Sequence, residues 1–183
     1  GCPVSVAPNL RIPSSNSPLP PLEFEPKVLI LGDGNFSFAA ALARIRRSGV
    51  GIIASSLPPL EEVKAECGDV AARAIRECEL LGVTLHGKFD ATMADFRVNQ
   101  NAFRHIIFNF PDSGHYVHDF DTKVESNRFL IKAVMLQSLK ILAPDGQMHF
   151  ALQDVPVFRA VRVHEIINRL RLVDVVPFRP ECW

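Results

Sequence analysis

Short runs of consecutive apolar residues alternate along this chain with longer stretches in which apolar positions recur every third or fourth residue. The runs predict strands over 27–32, 50–55, 83–88, 103–110, 146–153 and 172–178. The amphipathic stretches predict helices over 36–48, 59–81, 123–142 and 156–171, the second with a break at Gly68. The third helix carries Leu130, Val134 and Ile141 with Phe129, Ala133 and Leu136 beside them, a broad apolar stripe at helical spacing. It ends in Ala143-Pro-Asp-Gly146, a helix stop followed by a turn. Strands that read as solid apolar runs and alternate with helices imply a doubly wound α/β domain: a mostly parallel sheet with helices on both faces. No internal repeat interrupts this order.

The strand and helix pattern begins only at Lys27. Residues 1–26 hold the tract Pro13-Ser-Ser-Asn-Ser-Pro-Leu-Pro-Pro21, which cannot pair as a strand and has little to bury, so this segment is an arm or linker ahead of a domain over 27–183. It lacks the apolar core of a secretory signal, and an organelle-targeting leader remains open. The chain starts at Gly1 rather than methionine and stops at Trp183, which leaves a processed form and the ordered part of something longer both open. The 183 residues are 48% hydrophobic and 22% charged, enough for one domain with a core of its own. Lys+Arg and Asp+Glu both number 20, which argues against broad, unspecific binding to a nucleic-acid backbone. Basic residues cluster at Arg44, Arg46 and Arg47 and at Arg159, Arg162, Arg169 and Arg171, and read as solvated helix faces. Cys2, Cys67, Cys78 and Cys182 show no metal or disulfide spacing, so reduced thiols inside a cell are expected. No apolar run is long enough to span a bilayer, and no membrane partner is expected.

Chemistry enters at Lys27-Val-Leu-Ile-Leu-Gly-Asp-Gly-Asn-Phe-Ser-Phe38. A strand, a turn bracketed by Gly32 and Gly34, and a helix start form the mouth of a nucleotide-type site. Glycine lets the backbone bend and a ligand approach without meeting a Cβ, and the helix start offers free N–H groups. The other turns that follow strands are Ser55-Ser-Leu-Pro-Pro59, Phe89-Asp-Ala-Thr92 and Asn109-Phe-Pro-Asp-Ser-Gly114. Asp90 is placed either to accept a hydrogen bond from an adenine amine or a ribose, or to cap the segment after it. Asn109-Phe110-Pro111 either resembles the N-P-P-Y type motif of amino-methylating enzymes, in which the polar side chain and a backbone carbonyl grip the nitrogen being methylated, or is a turn that merely leaves the sheet through a proline. His115, Tyr116 and His118, with Asp112, Asp119 and Asp121, lack a helix to fix a metal geometry. They read as a loop closing over a substrate, and no metal is expected.

Taken together, these turns are identified with a known family. Gly-Asp-Gly-Asn-Phe-Ser-Phe resembles the G-[DE]-G-[ND]-F-S-F signature of the Rossmann-like ribosomal RNA uridine-N3 methyltransferase domain. Ile52-Ile-Ala-Ser-Ser56, Phe89-Asp-Ala-Thr92, Ile106-Ile-Phe-Asn-Phe-Pro111, Asn127-Arg-Phe-Leu130 and Pro144-Asp-Gly-Gln-Met-His149 are similar to its later blocks, in the same order, so the likeness runs over about 27–183. The resemblance implies a Rossmann-like class I methyltransferase fold and S-adenosylmethionine as cofactor. It implies that Gly32, Asp33, Gly34, Asn35, Phe36 and Ser37 surround that cofactor, with Ser55 and Asp90 near it. Asn109, Phe110, Pro111 and Asp112 would face the target base. The reaction implied is transfer of the sulfonium methyl to N3 of a uridine in ribosomal RNA or a pre-ribosomal particle. Such a uridine must be unpaired or flipped out, because pairing hides N3.

The chain departs from the family's pattern at three places. Leu57 and Pro58 stand where the family has a Tyr-Asp pair, and Glu61 and Glu62 come several residues later. Asp112-Ser113-Gly114 replaces His-Val-Gly. The family's ending, rich in Gly, Tyr, His and Arg, is not present before Trp183. A second reading therefore stands beside the enzyme: an inactive methyltransferase-like scaffold in ribosome assembly or RNA association, with ribosome-assembly proteins as partners. A dinucleotide oxidoreductase is remote, because no G-x-G-x-x-G is present. Either leading reading places the protein inside a cell, in the nucleolus or nucleus or in a mitochondrion.

Overall fold

A computed structural model describes residues 27–93, 102–114 and 119–176. The arm over 1–26, Cys2, His115, Tyr116, His118 and Cys182 lie outside the described residues. Five strands form one sheet: β1 (Val28–Leu31), β2 (Ile52–Ser55), β3 (Thr84–His86), β4 (Phe103–Asn109) and β5 (Leu142–Ala151). Their order is β3-β2-β1-β4-β5, and every neighbouring pair is parallel. The expected doubly wound α/β fold is present.

The solid apolar strands follow from burial on both faces. Within β1, Val28 and Ile30 pack with Phe36, Ala39, Ala40 and Ala43 and with Val63, Ala71, Ile75 and Cys78. These come from α1 (Ser37–Arg46) and α2 (Leu60–Leu81). Leu29 and Leu31 turn to the other layer, with Val124, Ile131, Val134, Phe158 and Val161. That layer comes from α3 (Phe120–Ser138) and α4 (Pro156–Val161). The expected break in α2 is real: Gly68 has φ 58° and ψ −140°, outside helical geometry. Cys67 and Cys78 are free thiols, and burial first of all pushes Cys78 up to about 12.

Several expectations are corrected. α3 starts earlier than position 123, because the Asp119 side chain accepts the Thr122 N–H and caps it there. Its stripe is also rotated. Val124, Asn127, Ile131, Val134, Met135 and Ser138 are buried, while Phe129 and Leu136 are exposed. β5 begins before the Pro144-Asp145-Gly146 turn and absorbs it as an irregularity, the pairing passing from Phe103↔Leu142 to His105↔Gln147. The helix expected over 156–171 ends at Val161, where Arg162 adopts a left-handed conformation, φ 48° and ψ 57°, and a 3-10 turn follows at Val163–Glu165. The described part of the strand expected over 172–178, residues 172–176, has no strand structure. Much of that run is exposed, so an apolar run alone was a poor guide there.

Candidate functional site

Connections from the two central strands leave to opposite faces of the sheet, β1 into α1 and β4 into α3. That divergence opens a crevice beyond the carboxyl ends of β1 and β4, where α/β sheets take ligands. Leu31 pairs with Phe108, so Gly32 and Asn109 come next, side by side, on the two strands. The sheet thus brings the turn after β1 and the Asn109-Phe110-Pro111 segment together at one edge.

Gly32 has φ +60°, and a Cβ there would stand 2.7 Å from the Phe108 ring. Glycine is required at this position by the chain's own packing as well as by the bend. Gly34 differs: a Cβ there would meet nothing within 4 Å. Both glycines are exposed, and an incoming ligand can reach their backbone.

The side chains between them are largely committed to the turn itself. Asp33 is 8% exposed, and its Oδ2 accepts the Ala39 N–H at 2.7 Å. Burial pushes its carboxyl up to about 6, against the N–H groups of Ala39, Phe38 and Phe36, which pull it down. Asn35 Oδ1 accepts the Ser37 N–H at 3.0 Å. The free N–H groups expected at the start of α1 are therefore taken by Asp33 and Asn35, which corrects the sequence reading. Phe36 sits at φ 62° with its ring wholly buried under α1 and α2, so only its backbone belongs to the turn's surface, while the Ser37 side of the turn is exposed. Ser55 is buried, donates from Oγ to the Ile30 carbonyl at 3.2 Å, and accepts the Asp33 N–H at 2.8 Å on its own carbonyl. It braces the turn from below.

Asp90 Oδ1 accepts both the N–H and the hydroxyl of Thr92, at 3.0 and 2.9 Å, so the capping role weighed for it is present. Asn109 is half-buried, and its side-chain amide has no partner among the described residues. Phe110 is 45% exposed and holds φ 55°, a rare conformation for an aromatic residue, with its N–H on the Ala151 carbonyl at 2.8 Å. Pro111 behind it is buried. Asp112 Oδ1 accepts from Lys123 Nζ at 2.6 Å and from the Gly114 N–H at 2.8 Å. Burial works to raise the Asp112 carboxyl, but Lys123 and Gly114 hold it below the usual range.

A cleft of about 700 Å³ runs along this edge, a size suited to a nucleotide-like ligand. Its lining includes Gly32, Leu57, Phe89, Ala91 and Thr92 from the turns after β1, β2 and β3, Phe110, Asp112 and Ser113 from the loop after β4, and Glu125, Ser126, Phe129 and Leu130 of α3. Sequence reasoning missed the contribution of α3. Asn127 is wholly buried and accepts the Ser113 N–H on Oδ1 at 2.9 Å, pinning the loop after β4 to the helix. A polar residue in register with Val124 and Ile131 was the signal for it. Among the described residues there is no group of three or more His, Cys, Asp or Glu that could hold a metal ion. No described helix is long and apolar enough to cross a membrane.

Comparison with known proteins decides the family. Residues 29–183 match the BMT5-like family model, described as "rRNA (uridine-N3-)-methyltransferase BTM5-like". The chain belongs to this family. Among curated proteins, it is 27% identical over 150 residues to heavy metal-associated isoprenylated plant protein 41 of Arabidopsis thaliana, covering 80% of this chain and 29% of that protein. It is 29% identical over 128 residues to an uncharacterized Arabidopsis thaliana protein, covering 67% and 61% respectively. It is 30% identical over 129 residues to human ferredoxin-fold anticodon-binding domain-containing protein 1, covering 69% and 19%. The chain thus spans less than two thirds of each of these relatives. No solved structure matches it significantly.

Proposed function

We propose that this domain is an S-adenosylmethionine-dependent methyltransferase that methylates N3 of an unpaired uridine in ribosomal RNA. The observation that carries the reading is the pairing, at adjacent strand ends, of an open glycine turn with an Asn109 amide that has no partner among the described residues. The occupied start of α1 supports the choice of cofactor. A pyrophosphate there would meet the Asp33 carboxylate instead of free N–H groups, whereas a cofactor bearing a sulfonium cation and no phosphate meets no such conflict.

The residues present fit that cofactor. The exposed backbone of Gly32 and Gly34 leaves room for its amino-acid portion, and Ala91, Thr92 and Leu57 offer apolar surface for its adenosine. When bound, it supplies an already activated methyl group. What the chain must add is alignment and help in losing the N3 proton. Once that proton leaves, negative charge spreads onto the two uracil oxygens beside N3. The Asn109 NH₂ group is suited to donate a hydrogen bond to one of them, stabilising charge as it develops. Asp112, already neutralised by Lys123, is a poor base and better suited to shape the loop.

The scaffold reading keeps one specific observation in its favour. Leu57 lines the cleft where a ribose-binding acid would stand, and Glu61 and Glu62 are exposed, with Glu61 paired to Lys64 at 2.8 Å. Calorimetric titration with S-adenosylmethionine, followed by methyl-transfer assays on ribosomal RNA fragments, separates the two. Micromolar binding and transfer that Asn109→Ala cuts by roughly 10²–10³-fold, with cofactor affinity nearly unchanged, is the expected result. A folded chain that binds no cofactor would leave the scaffold, and full turnover by Asn109→Ala would remove Asn109 from the site.

A further inference from the structure

Phe129 belongs by sequence to the apolar stripe of α3, yet it contributes nothing to the buried core. It is 74% exposed, while Asn127 and Ile131 on either side of it are fully buried. A single exposed apolar residue is ordinary. Here, however, the exposed ring lines the same cleft as Phe110, which is itself held out at the strand end by a left-handed backbone. Such strain persists only where the surrounding structure enforces it, and it clusters at functional sites. The Phe110 N–H bond to Ala151 and the buried Pro111 supply that enforcement. The helix that carries Phe129 is tied to the same region, because Asn127, two residues earlier, accepts the Ser113 N–H in the loop that follows Phe110.

We propose that Phe129, with Phe110, forms the stacking wall that receives the unpaired pyrimidine base of the RNA substrate. The inference rests on the methyltransferase reading for the identity of the substrate, and goes beyond it in assigning a residue of α3 to the RNA. A flat apolar ring at a solvent-facing rim suits a base entering from outside, since every base offers a π-face. Ser55 and Asp90 are only 1% and 9% exposed and do not line the cleft. Phe129 belongs to the helical wall of the cleft, with Ser126 and Glu125 of the same helix in the lining to meet polar edges. Recognition by stacking also agrees with a chain of zero net charge, in which Arg44, Arg159 and Arg162 are already paired with Glu77, Asp154 and Glu165.

The test uses the 183-residue chain and a single-stranded RNA oligonucleotide carrying 5-iodouridine. Irradiation is expected to crosslink the base to Phe129 or Phe110, located by mass spectrometry of the digested complex. Phe129→Ala should weaken RNA binding roughly 5- to 150-fold, the loss of one stacking contact, while leaving S-adenosylmethionine affinity unchanged. Phe129→Trp should restore RNA binding, and Phe129→Leu, which keeps the apolar bulk, should not. Thermal melts of all three variants are expected to match the parent, because the side chain is exposed. RNA affinity indifferent to Phe129→Ala, or a loss confined to cofactor affinity, overturns the inference and leaves the methyltransferase reading standing. Phe129-dependent RNA binding by a chain that neither binds cofactor nor transfers methyl has the opposite meaning: the wall stands and the enzyme falls.

Discussion

Asp33 shows how one residue serves the fold where the motif suggests a ligand contact. Its carboxylate replaces the missing partners of the first N–H groups of α1, and burial holds its pKa near 6. In the unfolded chain the same carboxyl titrates at its ordinary value of 3.8. Between those values the folded state holds a proton that the unfolded state has lost. The Asp33 contribution to stability is therefore complete below about pH 4, declines as pH rises to about 6, and is flat above. Asp33→Asn removes this ionisation while keeping an acceptor for Ala39. Urea unfolding across this range should show the parent losing stability with rising pH, by up to about 3 kcal/mol from this residue, relative to the variant. Identical pH profiles would place Asp33 in a better solvated setting than its burial indicates.

At the scale of the element, α3 decides the shape of the site. Its amphipathic pattern was legible in sequence, but its phase was not. Two apolar residues, Phe129 and Leu136, lie off the buried face, while two polar ones, Asn127 and Ser138, lie on it. Hydrophobicity alone cannot rank these positions, because a buried asparagine is tolerated only when a backbone group needs it. The Ser113 N–H is that group. Asn127→Ala would strand it and open space in the core, costing about 1–3 kcal/mol in denaturant unfolding. The same variant should loosen the loop after β4 and reduce RNA methylation more than cofactor binding. An unchanged unfolding midpoint would show that the loop holds itself without α3.

For the whole molecule, the consequence of strand order is that the two specific motifs, far apart in sequence, share one edge. Gly34 is the position to probe, since a Cβ there meets no atom of the chain within 4 Å. In the parent, S-adenosylmethionine at a hundred times its Kd should raise the unfolding free energy by about 2.7 kcal/mol. Gly34→Val should keep the melting temperature of the free protein and lose most of that ligand-induced gain. A fall in melting temperature without ligand would instead assign Gly34 a structural role like that of Gly32, whose hydrogen faces the Phe108 ring.

By itself the sequence determined the alternation of strands and helices, the parallel sheet buried on both sides, the break at Gly68 and the glycine turn after the first strand. Those are local properties: apolar runs, helical period, glycine. What only the tertiary structure decided was how the polar side chains are divided between fold and site. Asp33, Ser55 and Asp90 spend hydrogen-bonding capacity on neighbouring backbone and Thr92, while the Asn109 amide is left unpartnered among the described residues. The ends of the last helix and the register of β5 were likewise decided by packing and backbone conformation, at Arg162 and at the Phe103/His105 irregularity. A side chain's partners come from distant segments, and their identity exists only once the sheet has brought those segments together.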